Sequence, residues 1–250
     1  MGDIFEFRDF SLLQASVGQR INTDSCVFAE LICAAGNLPQ RILDIGAGTG
    51  VVTMMLAHHY QNATITAVEP ESSIADVAQK NFDQKIWLGR ITLQRARIQD
   101  LVGTPGEQFD LVSCNPPYFQ NCVPSFDRAT EVARHNSDLS PSEIYEGMRR
   151  NMTLSGSAWL SFPEESAGLW FNVGKERGLH LTHHFILSEH PTAKPHIAVA
   201  GWSRIKPTDV TLSKFFYRIA PQGALSPWMK SLRRKWFPAK FNKNMYAVDP

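Results

Sequence analysis

The chain has 250 residues, 43% hydrophobic and 20% charged, with a net charge of +1. That is enough apolar material for one large core with modest additions. So balanced a charge excludes a global polycation, so any nucleic-acid contact has to come from a local patch; no run approaches the roughly eighteen apolar residues of a membrane span, and no membrane contact is expected.

In chain order, the start, Met1 to Glu6, lacks a basic stretch followed by an apolar one and does not read as a secretion signal. Phe5 to Leu13 alternates enough for a short hairpin or an edge strand, and Asp24 to Ala35 predicts a helix capped by Thr23 or Asp24. Residues 1–36 are taken as an N-terminal extension and 37–205 as the core. The core opens with Arg41-Ile42-Leu43, then Asp44-Ile45-Gly46-Ala47-Gly48-Thr49-Gly50, then Val51 to Ala57: strand, glycine turn, helix. Gly46, Gly48 and Gly50 allow positive φ and a close ligand approach, and the helix start beyond them offers unpaired N–H groups. A dinucleotide site would carry glycine or alanine where Val51 stands. Asp44 at the strand tip would repel a pyrophosphate yet suits an ammonium. A ligand with an ammonium at one end and a ribose at the other fits better, and S-adenosylmethionine is such a ligand.

Thr64 to Val68 predicts the next strand and ends in Glu69, whose two oxygens suit both ribose hydroxyls. Ile91 to Leu93 and Arg95 to Ile98 read as a third strand region ending near Asp100, placed to accept from an adenine amino group. Carboxylates at successive strand ends favour function, because ligands of open parallel α/β sheets bind beyond the carboxyl ends of the strands. Phe109 to Cys114 reads as a buried strand. Cys114 has no basic neighbour and is expected to pack in the core; the four cysteines lack metal spacing and read as reduced thiols of a cytoplasmic protein, with no metal site.

Asn115-Pro116-Pro117-Tyr118 follows. Proline fixes φ, supplies no N–H and biases the residue before it toward extended backbone. The result is a stiff corner holding an amide, carbonyl acceptors and an aromatic ring, which suits a planar substrate bearing an –NH2 group. The long segment after it carries Arg128, Arg134 and His135; a loop of this length is often functional, and its arginines suit phosphate. Ser140-Pro141 starts a helix over 142–151, Ser157 to Phe162 is a strand, and Glu164 to Arg177 is a helix stopped by Gly178. Leu179 to Leu187 and His196 to Ser203 are the last strands, with a link too short for a helical crossover, hence antiparallel. The alternation predicts an α/β, Rossmann-like, doubly wound and mostly parallel sheet with helices on both faces. Residues 206–250 form a C-terminal extension. From Pro227 onward it carries Lys230, Arg233, Arg234, Lys235, Lys240 and Lys243 among Trp228, Trp236, Phe237, Phe241 and Tyr246. Basic residues with aromatics suit phosphate contact and base stacking; a helix packing its aromatics inward is the plainer alternative, and the two are compatible.

With the glycine motif, strand-end acids and Asn-Pro-Pro-Tyr in this order, the chain resembles the class I S-adenosylmethionine-dependent methyltransferases. Phe5 to Phe10, Gln19-Arg20-Ile21-Asn22-Thr23-Asp24, Asn115 to Phe119, Arg128, Ala133-Arg134-His135 and Leu139-Ser140 narrow the resemblance to the bacterial tRNA1(Val) adenine-N6 methyltransferases. It departs from that family at Asn22 and Ser25, where glycines are usual, and at Pro70, where a small or acidic residue is usual. The resemblance implies a seven-stranded sheet with a C-terminal antiparallel hairpin, and methyl transfer to N6 of a tRNA anticodon-loop adenine. It implies that Arg20, Thr23 and Asp24 close over the methionine end of the cofactor. Asn115, Pro116 and Tyr118 would carry the chemistry, and Pro117, Phe119, Arg128, Arg134 and His135 would meet RNA, with Lys230, Arg233, Arg234 and Lys235 joining from the tail. No obligate protein partner is expected. Two alternatives stand beside this: the same fold acting on an rRNA guanine, a DNA adenine or a protein glutamine, and a non-catalytic binder, for which the intact Asn-Pro-Pro-Tyr would have no use.

Overall fold

The computed structural model describes residues 3–14, 21–101, 108–116 and 140–239. β1 (Ile4–Glu6) and β2 (Ser11–Leu13) form the expected hairpin. The Phe7 and Phe10 rings between them are buried and stacked with centroids 4.5 Å apart. Asn81 ties the hairpin down, its carbonyl accepting the Leu13 N–H and its amide donating to the Leu13 carbonyl. Helix α1 (Thr23–Ala34) is capped by Asn22, not by Thr23 or Asp24. Asn22 is still extended, so its Oδ1 reaches the Ser25 N–H at 2.8 Å, while Thr23 is already helical.

The main sheet is built from β3 (Arg41–Ile45), β4 (Thr64–Val68), β5 (Ile91–Gln94), β6 (Phe109–Cys114), β7 (Met152–Pro163), β8 (His180–Ser188), β9 (Ile197–Ser203) and β10 (Thr211–Phe216), in the order β10-β8-β9-β7-β6-β3-β4-β5. Every neighbouring pair is parallel except those of β9, which runs antiparallel to both β7 and β8 and forms the expected hairpin with β8. Among the described residues the sheet has eight strands, one more than the expected seven. The addition, β10, lies parallel to the edge of β8, reached by a link that passes the start of β8. It is half-exposed along its length, so its hydrophobic run is weak in sequence.

β5 also differs from expectation. It stops at Gln94, and Ile98–Asp100 form a 3₁₀ turn rather than more strand. The tight turn is closed by the Asp100 N–H on the Arg97 carbonyl at 3.0 Å.

Helices cover both faces. α2 (Val51–His59) and α3 (Ser72–Phe82) join α1, the hairpin and α6 (Pro227–Trp236) over Ile42, Leu111, Trp159 and Val199. α4 (Pro141–Asn151) and α5 (Ala167–Glu176) cover Leu43, Val112, Ala158 and Ala200 on the other face. Adjacent strand residues such as Ile42 and Leu43 separate to opposite faces, as the two-residue period of a strand requires. Buried from Val51 to Ala57, α2 has α1 packed on its outer side. α4 begins with a reciprocal capping box between Ser140 and Glu143, with Pro141 at its first turn. Among the described residues, no helix is long and apolar enough to cross a membrane.

The described part of the tail packs inward. α6 buries Met229, Leu232 and Trp236, the Trp236 indole donates to Glu30 at 2.7 Å, and Phe237 stacks on Phe7. Lys240, Phe241, Lys243 and Tyr246 lie outside the described residues.

Candidate active site

The pairing register brings three strand ends together. Ile45 pairs with Val68 on one side and Cys114 on the other, so Gly46, Glu69 and Asn115 leave the sheet side by side, at the edge where α/β sheets bind ligands. Gly46, Gly48 and Gly50 have φ of 68°, 57° and 99°, a region that L side chains avoid. A Cβ on Gly46 or Gly48 would meet open space, whereas one on Gly50 would lie 2.4 Å from the Phe82 ring. The first two keep the loop surface clear and the third lets the loop pack on α3. Glu69 braces this loop: one carboxylate oxygen accepts the Gly48 N–H at 2.9 Å and the other the Glu71 N–H at 3.0 Å. Each oxygen has a second lone pair, so the same carboxylate retains acceptor capacity for a hydroxyl.

Asp44 lies at the floor of the cleft, 2% exposed. Its Oδ1 accepts from the Ser113 hydroxyl at 2.7 Å and its Oδ2 from the Thr53 hydroxyl at 2.6 Å. Burial pushes its pKa up to about 6; the two hydroxyls oppose that shift without cancelling it. Thr53 and Ser113 escaped the sequence analysis, although each is a polar residue inside an apolar run, Val51 to Ala57 and Leu111 to Cys114.

Asn115 is held from two sides. Its Nδ2 donates to Ser25 Oγ at 2.9 Å, and its Oδ1 accepts from the Ser161 hydroxyl. The register explains Ser161: Cys114 at the end of β6 pairs with Leu160 of β7, so the next residues on the two strands are neighbours. Ser25 stands out in the sequence only as a departure from a usual glycine, and no local pattern marks Ser161; they lie 90 and 46 residues from Asn115 in the chain. Neighbouring Cys114 is fully packed, and burial raises its thiol pKa far above the ordinary value, which makes it inert.

Ile21, Ser25, Asp44, Gly46, Gly48 and Asn115 line one continuous cleft. The structure thus unites Asp44, the glycine loop and Asn115, with Glu69 and Gly50 buttressing the loop from behind and Pro116 following directly. Three expected cofactor residues stand apart from the wall of that cleft. Thr23 is exposed, Asp24 accepts from the Tyr217 hydroxyl at 2.6 Å, and Asp100 is exposed on its 3₁₀ turn. Arg20, Pro117, Tyr118, Phe119, Arg128, Arg134 and His135 lie outside the described residues. Lys230, Arg233, Arg234 and Lys235 all sit on α6, where Lys235 pairs with Glu30 at 2.8 Å. The Trp236 ring contacts His58 at the far end of α2 from the glycine loop. The last turn of α6 is therefore about 12 Å along that helix from the cleft.

A family model described as a methyltransferase domain matches residues 42–136. A tRNA1(Val) (adenine(37)-N6)-methyltransferase of Pedobacter heparinus is 32% identical over 179 residues, covering 72% of this chain and 75% of that one. One of Shewanella baltica is 34% identical, with 65% and 68% covered, and one of Vibrio vulnificus is 27% identical, with 85% and 95% covered. Among solved structures, a predicted O-methyltransferase of Agrobacterium tumefaciens superposes with a TM-score of 0.62 at 18% identity, covering 84% of this chain and 95% of the other. A putative RNA methyltransferase of Pyrococcus horikoshii superposes at 0.58 and 14% identity, with 78% and 93% covered. At those identities the structures establish the shared class I methyltransferase fold.

Proposed function

Because this chain belongs to the tRNA1(Val) (adenine(37)-N6)-methyltransferase family, we propose that it methylates the exocyclic N6 of the adenine 3′ to the anticodon of that tRNA, using S-adenosylmethionine. The observation that carries this reading is Asn115, fixed between two serines at the mouth of a cleft whose floor is a buried carboxylate and whose wall is a loop with open space over Gly46 and Gly48.

The residues present fit the cofactor. Asp44 suits its ammonium, the open faces of Gly46 and Gly48 admit it closely, and Glu69 has acceptor capacity for the ribose hydroxyls. Asp100 would accept from its adenine amino group, and Arg20, Thr23 and Asp24 would cover its methionine end. When bound, S-adenosylmethionine supplies an electrophilic methyl group on a sulfonium.

The chain's own residues address the weakness of the nucleophile. The lone pair of an exocyclic amine is delocalised into the ring. Asn115 Oδ1 and the Pro116 carbonyl accept its two N–H bonds, favour pyramidal nitrogen and stabilise the positive charge that develops there. Preorganised groups of this kind contribute about 10²–10³ in rate each. The proton becomes acidic only after methyl transfer, so it leaves to solvent without a strong general base. Tyr118 stacks on the flipped base, worth about 1–3 kcal/mol; an anticodon-loop base is already unpaired, which lowers the cost of flipping. Pro117, Phe119, Arg128, Arg134 and His135 contact RNA around the site, and Lys230, Arg233, Arg234 and Lys235 meet phosphates further off. The partner is tRNA, no obligate protein partner is required, and the enzyme works in the cytoplasm.

The test is Asn115→Ala. Cofactor affinity, measured by calorimetry, should stay within a few-fold, while turnover on the tRNA falls by about 10² or more. Near wild-type turnover would remove the amine-binding role from this corner. Labelled cofactor with total RNA from a strain lacking the protein, followed by mass spectrometry of the nucleosides, should yield N6-methyladenosine; label on another base or on protein would redirect the substrate.

A further inference from the structure

Two serines, Ser25 and Ser161, meet Asn115, and Asn22 behind Ser25 extends them into a chain with one direction. Asn22 Oδ1 accepts the Ser25 N–H at 2.8 Å, the helix-capping bond of α1. A backbone N–H can only donate, so this bond fixes which end of the Asn22 amide faces the helix. The same oxygen accepts the Ser25 hydroxyl proton at 2.9 Å. With its proton committed, Ser25 Oγ presents lone pairs to its other neighbour, and the group it meets at 2.9 Å is the Asn115 –NH2. On the opposite side Ser161 donates to Asn115 Oδ1. Ser25 is 7% exposed and Ser161 is 0% exposed, so neither hydroxyl is readily replaced by water.

We propose that Ser25 and Ser161 are positioning residues that set the orientation of the Asn115 amide, with Asn22 as the anchor that gives the chain its direction. The inference rests on the reading of Asn115 as the acceptor for the target amine. An asparagine side chain is nearly symmetric in shape, and rotating it by half a turn exchanges an acceptor for a donor. Presented the wrong way, the –NH2 end would face the substrate's own –NH2 group, donor against donor. Packing alone discriminates poorly between the two orientations. The helix N-terminus does so electrostatically: a rotated amide would set Oδ1 against Ser25 Oγ while the Ser25 proton is held by Asn22. Ser161 holds the amide in place from the other side, its hydroxyl engaging one of the two lone pairs of the amide oxygen. The helix that precedes the cofactor loop therefore sets the polarity of a side chain about ninety residues later in the chain.

Ser25→Ala and Ser161→Ala test this in single-turnover methylation of transcribed tRNA, alongside Asn115→Ala and the double variants. Each serine variant should lower the methyl-transfer rate roughly 10-fold, because an amide that has lost one of its holding bonds presents its oxygen correctly only part of the time. Cofactor Kd and tRNA Kd should move less than about three-fold. In the Asn115→Ala background, adding Ser25→Ala should change the rate less than about two-fold, since the group it orients is gone. Asn22→Gly gives a check that leaves helix capping nearly intact; it should slow methyl transfer several-fold by releasing the Ser25 proton. If the serine losses persist undiminished in the Asn115→Ala background, or if both serine variants transfer at the wild-type rate while Asn115→Ala is slow, the positioning role is overturned. A wild-type rate in Asn115→Ala itself would instead overturn the proposed function.

Discussion

Asp44→Asn isolates the cost of a buried charge at the cofactor site. The carboxyl is 2% exposed and its pKa stands at about 6 against an ordinary 3.8, with burial as the largest cause. At about 1.4 kcal/mol per pH unit, the ionised form costs the fold roughly 3 kcal/mol relative to the unfolded chain. The sign follows from proton counting. Between about pH 4 and pH 6 the folded protein holds a proton that the unfolded chain has lost, so this group's contribution is greatest below the unfolded pKa and is lost as pH rises through 6. Roughly 2 of those 3 kcal/mol disappear between pH 4.5 and 7.5. Asparagine has nearly the same shape and does not titrate, and the Thr53 and Ser113 hydroxyls can each turn to donate or accept. Urea unfolding of both proteins at the two pH values is the assay. Other carboxylates titrate alike in both and cancel in the difference. With a slope of about 3 kcal/mol/M, the variant's midpoint should gain roughly 0.7 M on the wild type as pH rises. In the proposed complex Asp44 meets an ammonium, so wild-type cofactor affinity should also climb through pH 6 while that of Asp44→Asn stays flat and weak. A midpoint difference that is the same at both pH values would refute the account of Asp44 as a buried, reluctantly ionised group.

Glu69→Ala removes acceptors from the Gly48 and Glu71 N–H groups; it should cost about 1–3 kcal/mol in urea unfolding and weaken cofactor binding by calorimetry at least ten-fold. Gly50→Ala places a Cβ 2.4 Å from Phe82 at a φ of 99°, and thermal unfolding should report a loss of about 2 kcal/mol or more. If α6 meets phosphates, Arg233→Glu with Arg234→Glu should weaken tRNA binding and flatten its dependence on salt, with cofactor affinity unchanged. Charge reversal is preferable to deleting the tail, since Met229, Leu232 and Trp236 are buried there; an unchanged slope would assign α6 to packing alone.

By itself the sequence determined the parts of this protein that local physics governs. Glycines that require positive φ, a proline corner, capping residues and apolar runs of strand length mark the β3 loop, the Asn115 corner and the α/β alternation. They do so because each is set by its own backbone sterics and hydrophobic period. The link between β8 and β9 was legible for a similar reason: its length forbids a helical crossover. Only the tertiary structure decided what depends on partners distant in the chain. The cap of α1 is the exception, a local bond over three residues that falls to Asn22 because Thr23 is already helical. β10 joined the sheet because β8 offered an edge, a pairing that a half-exposed run does not announce. Thr53, Ser113, Ser25 and Ser161 were invisible as site residues because a serine or threonine carries no local signal of what its hydroxyl will meet. Strand register and helix packing bring those hydroxyls to Asp44 and Asn115, and in the buried, low-dielectric site hydrogen-bond polarity then dictates how each functional group is presented.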